Sequence, residues 1–250
     1  MDIGICSGMI RLIDLSTSTD EGATWGAVRH SANPFNGVGG SLVVQPDGTV
    51  IVVTPENNEP PSFVAFTSTD GGQNWGDAAT IDASFGGYAD EFPSLAEDAD
   101  GTLYLAWNDY GENGTSTVLA CSHDGIHWSA SQVISTDFYD LPALAVDAQA
   151  AGSHAHLGLT YYVLDTSASP TTMQPFFISS TDSGQHWSSA QALSAPTSLD
   201  WLVPGRSVGD YISMVFDEGR AFPFFGIGTV RGSNEPYHQK VYTISEGIPC

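Results

Sequence analysis

The 250-residue sequence predicts an all-β protein, a β-propeller made of four-stranded antiparallel blades. Two repeated signals and one absence carry that expectation. A segment reading Ser-x-Asp, then glycine, then tryptophan occurs four times, and its aspartates Asp20, Asp70, Asp124 and Asp182 are spaced 50, 54 and 58 residues apart. Between the copies runs a second hairpin signal, seen as Asp47-Gly48 and Asp100-Gly101. No stretch has the spacing of an amphipathic helix.

The repeated turns come first. They are Ser18, Asp20, Gly22 and Trp25; Ser68, Asp70, Gly72 and Trp75; Ser122, Asp124, Gly125 and Trp128; and Ser180, Asp182, Gly184 and Trp187. Aspartate and tryptophan are five positions apart in three copies and four in the third, whose turn must be one residue tighter. In such a turn the Ser and Asp oxygens accept backbone amides, glycine supplies a positive φ, and tryptophan is expected to pack inward. Each copy follows an extended apolar run, as in 61–67 or 174–179, and precedes a short strand, as in 78–81 or 132–134.

The second hairpins supply the other two strands of each unit. Residues 41–45 turn into 49–53, 93–97 into 102–107, 142–146 into 156–163, and 211–216 into 221–229, with 239–244 as the last strand. Naming the strands A to D within a unit, the count is 2, 4, 4, 4 and 3, or 17 in all, which is no whole number of blades. The expected organisation is one propeller domain over 1–250: a half blade at 1–35, blades at about 36–82, 83–135 and 136–194, and a partial blade at 195–250. About four to five blades are thus expected. The strands missing before Cys6 imply either a six-bladed ring truncated at its N-terminus or a smaller ring. The smaller ring would close by pairing N-terminal C and D strands with C-terminal A and B strands.

Composition bounds the partners. With 29 acidic and 6 basic side chains the net charge is -23, which argues against nucleic acid and anionic membrane surfaces. At 41% hydrophobic residues with six tryptophans, the chain can still bury a sizeable core, so its acidity is not a sign of disorder. No apolar run approaches the ~18 residues of a membrane-spanning helix. The first residues lack a signal peptide's basic start and apolar stretch, so any export signal is expected upstream of Met1. Cys6, Cys121 and Cys250 lack zinc-site spacing; Cys6 and Cys250 could be bridged if the ends meet, and free or buried thiols are the favoured alternative. The seven histidines show no paired ligand spacing, so no metal or other cofactor is expected; calcium at an acidic face is chemically plausible, without a motif for it.

The four segments, Ser-x-Asp-x-Gly-x-x-Trp with one residue fewer in the third, resemble the Asp boxes, or bacterial neuraminidase repeats, of the sialidase superfamily. The resemblance covers essentially the whole chain, including Ala106-Trp107-Asn108-Asp109, which is similar to a common strand-B ending in such repeats. It implies a secreted or cell-surface setting and a glycan or polysaccharide partner, with other domains of a longer chain as further partners. Asp boxes also occur in sortilin-like receptors and xyloglucan hydrolases, so they identify architecture better than activity.

Strand alternation places the A–B turns and the repeated turns on one face and the D–A and B–C connections on the other, where a ligand is expected. That face holds Tyr88, Asp90, Glu91, Trp201, Arg206, Asp210 and Tyr211 in D–A connections, and Asp109, Tyr110, Asp165, Arg231 and Tyr237 in B–C connections. Rings beside carboxylates suit a sugar, and Arg206 and Arg231 could hold an anionic group at two points. The resemblance implies a tyrosine nucleophile, and Asp210-Tyr211-Ile212-Ser213-Met214 is similar to the segment that carries it. Yet the region 226–228, where the family's glutamate would follow, has no carboxylate, and Gln174 stands where another family arginine is usual. A tyrosine of pKa ~10 is a poor nucleophile without a base. The first expectation is therefore a glycan-recognition propeller without full sialidase activity. The alternatives are a sialidase-type hydrolase using Tyr211, and a structural repeat of a larger secreted protein.

Overall fold

The computed structural model describes residues 12, 14–31, 39–56, 61–81, 92–111, 114–136, 140–199, 212–228 and 239–250. They form an all-β structure with a short 3-10 turn at Gly152–His154. A two-stranded hairpin, β1 (Asp14–Leu15) and β2 (Arg29–His30), comes first. The first four-stranded sheet follows in meander order: β3 (Ser41–Val44), β4 (Val50–Glu56), β5 (Ser62–Ser68) and β6 (Ala79–Ile81). The second is β7 (Ser94–Glu97), β8 (Leu103–Gly111), β9 (Gly114–Ser122) and β10 (Gln132–Ser135). The third is β11 (Asp140–Val146), β12 (Leu157–Asp165) and β13 (Thr172–Ser180), with β14 (Gln191–Ala192) and β15 (Thr197–Ser198) both paired to β13. The last is β16 (Ser213–Asp217) and β17 (Arg220–Gly228), with β18 (Gln239–Thr243) and β19 (Ile248–Pro249) both paired to β17. Among the described residues the nineteen strands occupy 17 strand positions, because β14 and β15 both pair with β13, and β18 and β19 both pair with β17.

The core is a series of layers between successive sheets rather than one central mass. Ile51, Val53, Phe63 and Ile81 of the first sheet meet Leu103, Leu105, Trp107 and Val118 of the second. Phe63 and Trp107, both fully buried, tilt against each other at 5.5 Å. Tyr104, Ala106 and Leu119 of the second sheet meet Leu144, Leu157, Leu159 and Tyr161 of the third. Ala145 and Phe177 then meet Met214, Ala221 and Ile248 of the last. Strand alternation explains this directly: both faces of each internal sheet are apolar because both are covered. Inner strands β3, β7, β11 and β16 stand side by side in that order. Ser41 Oγ accepts the Leu95 amide at 3.3 Å and Ser94 Oγ accepts the Leu144 amide at 2.9 Å, so one serine braces the first sheet to the second and another the second to the third.

The four repeated turns share one hydrogen-bond pattern. In the second, Ser68 Oγ accepts the Gly72 amide at 2.8 Å and donates to Asp70 Oδ1 at 2.9 Å. Asp70 in turn accepts the Asn74 amide at 2.8 Å and its Nδ2 at 2.6 Å. Thr24, His127 and His186 fill the place of Asn74 in the other copies. In the third turn this partner sits three residues after aspartate instead of four, as its tighter spacing requires. Asp70 and Asp182 are held down at about 2, first by the backbone amides of Asn74 and His186 and then by their side chains. At Asp124, desolvation opposes the shift, and hydrogen bonds from the His127 side chain and amide still leave the carboxyl below its ordinary value.

In three of the four turns the glycine is where neighbouring sheets touch. A Cβ on Gly125, at φ +69°, would lie 3.0 Å from Ile51 Cδ1 and 3.1 Å from Thr67 Cγ2 of the preceding sheet. One on Gly184, at φ +84°, would lie 2.7 Å from Leu119 Cδ2. Gln132 Nε2 of that same preceding sheet donates to Gly184 O at 2.8 Å. Gly22 has no such neighbour, and this explains a departure from expectation: Trp25 is 66% exposed, whereas Trp75 is 9% exposed. The inward packing expected of every repeat tryptophan thus fails at Trp25, because the hairpin β1–β2 presents no apolar layer on that side among the described residues. Trp128 and Trp187 are half-buried and donate Nε1 to Gly125 O and Gly184 O, both at 3.1 Å.

Two tests follow from this frame. Trp75→Ala should cost about 3 to 5 kcal/mol in urea unfolding and Trp25→Ala less than about 1 kcal/mol; equal losses would contradict the layered packing. The lowered carboxyls of Asp70 and Asp182 stabilise the fold above about pH 4, and that stabilisation disappears as pH falls towards about 2. Asp70→Asn with Asp182→Asn should flatten the acid limb of a stability-versus-pH curve relative to the parent protein.

Candidate functional site

Inner strands begin on the face that also receives the ends of β4, β8 and β12, and their starts converge on a pocket of about 230 Å³. Four chain segments line it: Gly40–Ser41, Phe92–Ser94, Leu141–Pro142 and Ile212. Each segment sits at the start of an inner strand: at or just before the first residue of β3, β7 and β16, and at the second and third residues of β11. The pocket therefore exists only because four sheets are stacked side by side. Pro93 and Pro142 fit here because an inner strand is an edge, where a residue without an N–H breaks no ladder. The hydroxyl oxygens of Ser41 and Ser94 accept the inter-sheet amides described above, and the lining mixes apolar side chains with hydroxyl and backbone polar groups.

Local backbone geometry is specific at two points. Gly40 has φ +141°, and a Cβ there would lie 2.7 Å from the Val53 carbonyl oxygen, so no other residue fits without displacing β4. Leu141 holds φ +56° although it is not glycine, within the irregular β11 register between Asp140 and Ala143. A non-glycine residue in the left-handed region is strained backbone, and such residues concentrate at functional sites.

Of the residues singled out from sequence, Asp109 and Tyr110 lie at the outer end of β8, half-buried and paired across to Ser116 and Thr115. Behind them Trp107 and Asn108 are fully buried. Asp165 ends β12, but its Oδ1 accepts the Ser167 hydroxyl at 2.6 Å and amide at 2.9 Å, which lower its carboxyl and commit it to its own turn. Tyr88, Asp90, Glu91, Trp201, Arg206, Asp210, Tyr211, Arg231 and Tyr237 lie outside the described residues. Glu91 and Tyr211 are the chain neighbours of the lining residues Phe92 and Ile212. Cys6 also lies outside the described residues; Cys121 and Cys250 are free and half-buried.

The lining itself was missed in sequence, although a signal for it exists. Gly40-Ser41-Leu42, Pro93-Ser94-Leu95, Pro142-Ala143-Leu144 and Ile212-Ser213-Met214 occupy equivalent places at the starts of the four inner strands. Near 226–228, where no carboxylate stands, Tyr162 of the adjacent sheet donates to Gly226 O at 3.1 Å and accepts its amide at 2.8 Å. Burial pushes the Tyr162 hydroxyl up to about 12, marking it as a structural clasp. Among the described residues no three His, Cys, Asp or Glu side chains are grouped to hold a metal ion, and no helix is long and apolar enough to cross a membrane.

Gly40→Ala should destabilise the protein by roughly 1 to 3 kcal/mol, through an unfavourable φ and contact with Val53 O. A thermal melt matching the parent would show that β3 and β4 are not in the close contact described.

No family model matches the chain, and no curated protein matches it. Solved structures do. An α-L-arabinanase from Penicillium chrysogenum, complexed with arabinobiose, superposes at a TM-score of 0.54 with 13% identity, over 93% of this chain and 85% of that one. The intramolecular trans-sialidase from Ruminococcus gnavus gives 0.53 with 16% identity, over 86% of this chain and 45% of that one. The NanB sialidase from Streptococcus pneumoniae gives 0.51 with 13% identity over 92% of this chain, which spans about a third, 34%, of the sialidase. Meandering sheets stacked through their faces, inner strands side by side and these neighbours together identify the fold as a sialidase-like β-propeller.

Proposed function

We propose that this chain recognises glycans in an extracellular setting, at the pocket where its four inner strands begin, without a complete sialidase relay. The observation that carries the reading is that pocket: concave, floored by Phe92, Pro93, Pro142 and Ile212, and placed where the sheets converge. Apolar side chains such as these stack against the C–H faces of sugar rings, while polar groups beside them select hydroxyls. Asp109 and Tyr110 at the end of β8 are rim candidates on the same face, as are the sequence-assigned Tyr88, Asp90, Glu91, Trp201, Asp210 and Tyr237. Screening the intact chain on a glycan array, with Phe92→Ala beside it, tests the proposal. Binding that weakens roughly tenfold in the variant, about 1.4 kcal/mol, is expected. Absence of binding to any glycan would leave the structural-repeat reading in its place.

A second reading, a sialidase-type hydrolase with Tyr211 as nucleophile, is favoured by one observation: Tyr211 directly precedes the lining residue Ile212. In that reading Arg206 and Arg231 hold an acidic sugar, and Arg206→Lys weakens it because lysine cannot make the planar two-point contact. Turnover of a fluorogenic sialoside that survives Tyr211→Phe would exclude this mechanism, whereas turnover abolished by that change would establish it.

A further inference from the structure

Two adjacent carboxyls at the turn end of β7 have opposite surroundings. Asp98 is buried, and its oxygens accept the Thr102 and Asp100 amides, the Tyr104 hydroxyl and the Gly152 amide of the third sheet. Glu97 lies on the side of β7 that Leu95 packs on the first sheet, and its Oε1 is buried without a hydrogen-bond partner. A Cβ on Gly101 would lie 3.6 Å from Glu97 Oε1 and 3.4 Å from Gln45 Nε2, so the carboxyl sits against the A–B turn of the first sheet. Asp47 faces it from that turn, while Asp98 and Asp100 flank it. The segments 45–49 and 97–102 and the adjoining repeated turn 122–128 contain no Lys or Arg. In that repeated turn Asp124 and His127 pair with each other, and His123 Nδ1 lies 3.3 Å from Thr102 Oγ1. Desolvation first, then the charges of Asp98 and Asp47, push the Glu97 carboxyl up.

The same two inner strands are tied at both ends. At the pocket Ser41 Oγ accepts the Leu95 amide, and at the turns Gln45 Nε2 donates to Gly101 O at 2.8 Å. Because β7 is only four residues long, Ser94 of the pocket lining and Glu97 are its two ends. We propose that Glu97 is a proton-operated brace between the first two sheets: ionised, it loosens the joint against Asp47; protonated, it lets β3 and β7 close and firms the pocket they begin. Tighter ligand binding on the mildly acidic side follows, and that consequence rests on the glycan-recognition reading above, whereas the brace does not. Ionised Glu97 costs stability; the cost is absent below the ordinary glutamate value of 4.5 and complete above the raised value, so the joint weakens as pH rises through it. Asp70 and Asp182 act with the opposite sign, and only below about pH 4.

Glu97→Gln reproduces the neutral acid and tests the brace in the intact chain. Histidines titrate in the same range in both proteins, so the readout is the difference between parent and variant. Between about pH 5 and about pH 7.5 the parent should lose roughly 2 °C or more of melting temperature relative to the variant. Exchange of the Leu95 amide at the higher pH should be slower in the variant. Carboxyl-carbon NMR of the parent should place the Glu97 midpoint above 4.5. A midpoint at or below that value, or parent and variant melting in parallel at both pH values, would overturn the brace whether or not any glycan binds. With a ligand found on the array, parent affinity should rise at least about twofold from the higher pH to the lower and variant affinity should not. An equal pH response in both would overturn the link to the pocket. An array with no ligand overturns the glycan reading alone, and the melting and NMR results still decide the brace.

Discussion

The structure depends on the seating of a glycine turn against the sheet before it. Each four-stranded sheet would expose apolar surface on both faces if it stood alone, so the fold exists only as a stack. What sets the stacking distance is the absence of a side chain at Gly125 and Gly184, where a Cβ would press on Ile51 and Thr67 or on Leu119. The Ser and Asp of the same turns hold those glycines at positive φ by satisfying the turn amides locally. Conformation and contact are thereby fixed by one short segment.

On the opposite face the same stacking brings four inner-strand starts together, and the pocket is its by-product. Ser41 and Ser94 brace successive inner strands there. At the third inner strand the equivalent residue is Ala143, and the next junction is made instead by Met214, whose Sδ accepts the Thr160 hydroxyl at 3.7 Å. One pocket thus spans two kinds of junction. Its described lining is set by the residues a strand edge tolerates near its start, proline and small polar groups among them.

Much of this architecture was legible in the sequence. The four repeated turns gave the spacing of the sheets, and the Asp-Gly turns gave the inner hairpins, because both signals are local: a few side chains closing their own backbone. What was not legible depended on neighbours distant in the chain. Trp25 carries the same motif as Trp75 but lies exposed, since burial requires a layer the motif does not encode. Asp165 read as a ligand candidate, yet its oxygen closes a turn with Ser167. Phe92, Leu141 and Ile212 drew no notice singly, because their significance comes from four strand starts meeting in space. Asp109 and Tyr110 are found on the expected face, while the remaining loop residues proposed for the site, from Tyr88 to Tyr237, lie outside the described residues.

Amide hydrogen exchange on Gly184→Val tests the central claim, that one seated turn couples neighbouring sheets, most directly. The account predicts that protection falls together in β8, β9, β12 and β13, on both sides of the Leu119 contact, and at the Leu144 amide, which bonds the pocket residue Ser94. Loss of protection confined to residues 180–187, with the two sheets and the pocket protected as in the parent, would contradict it.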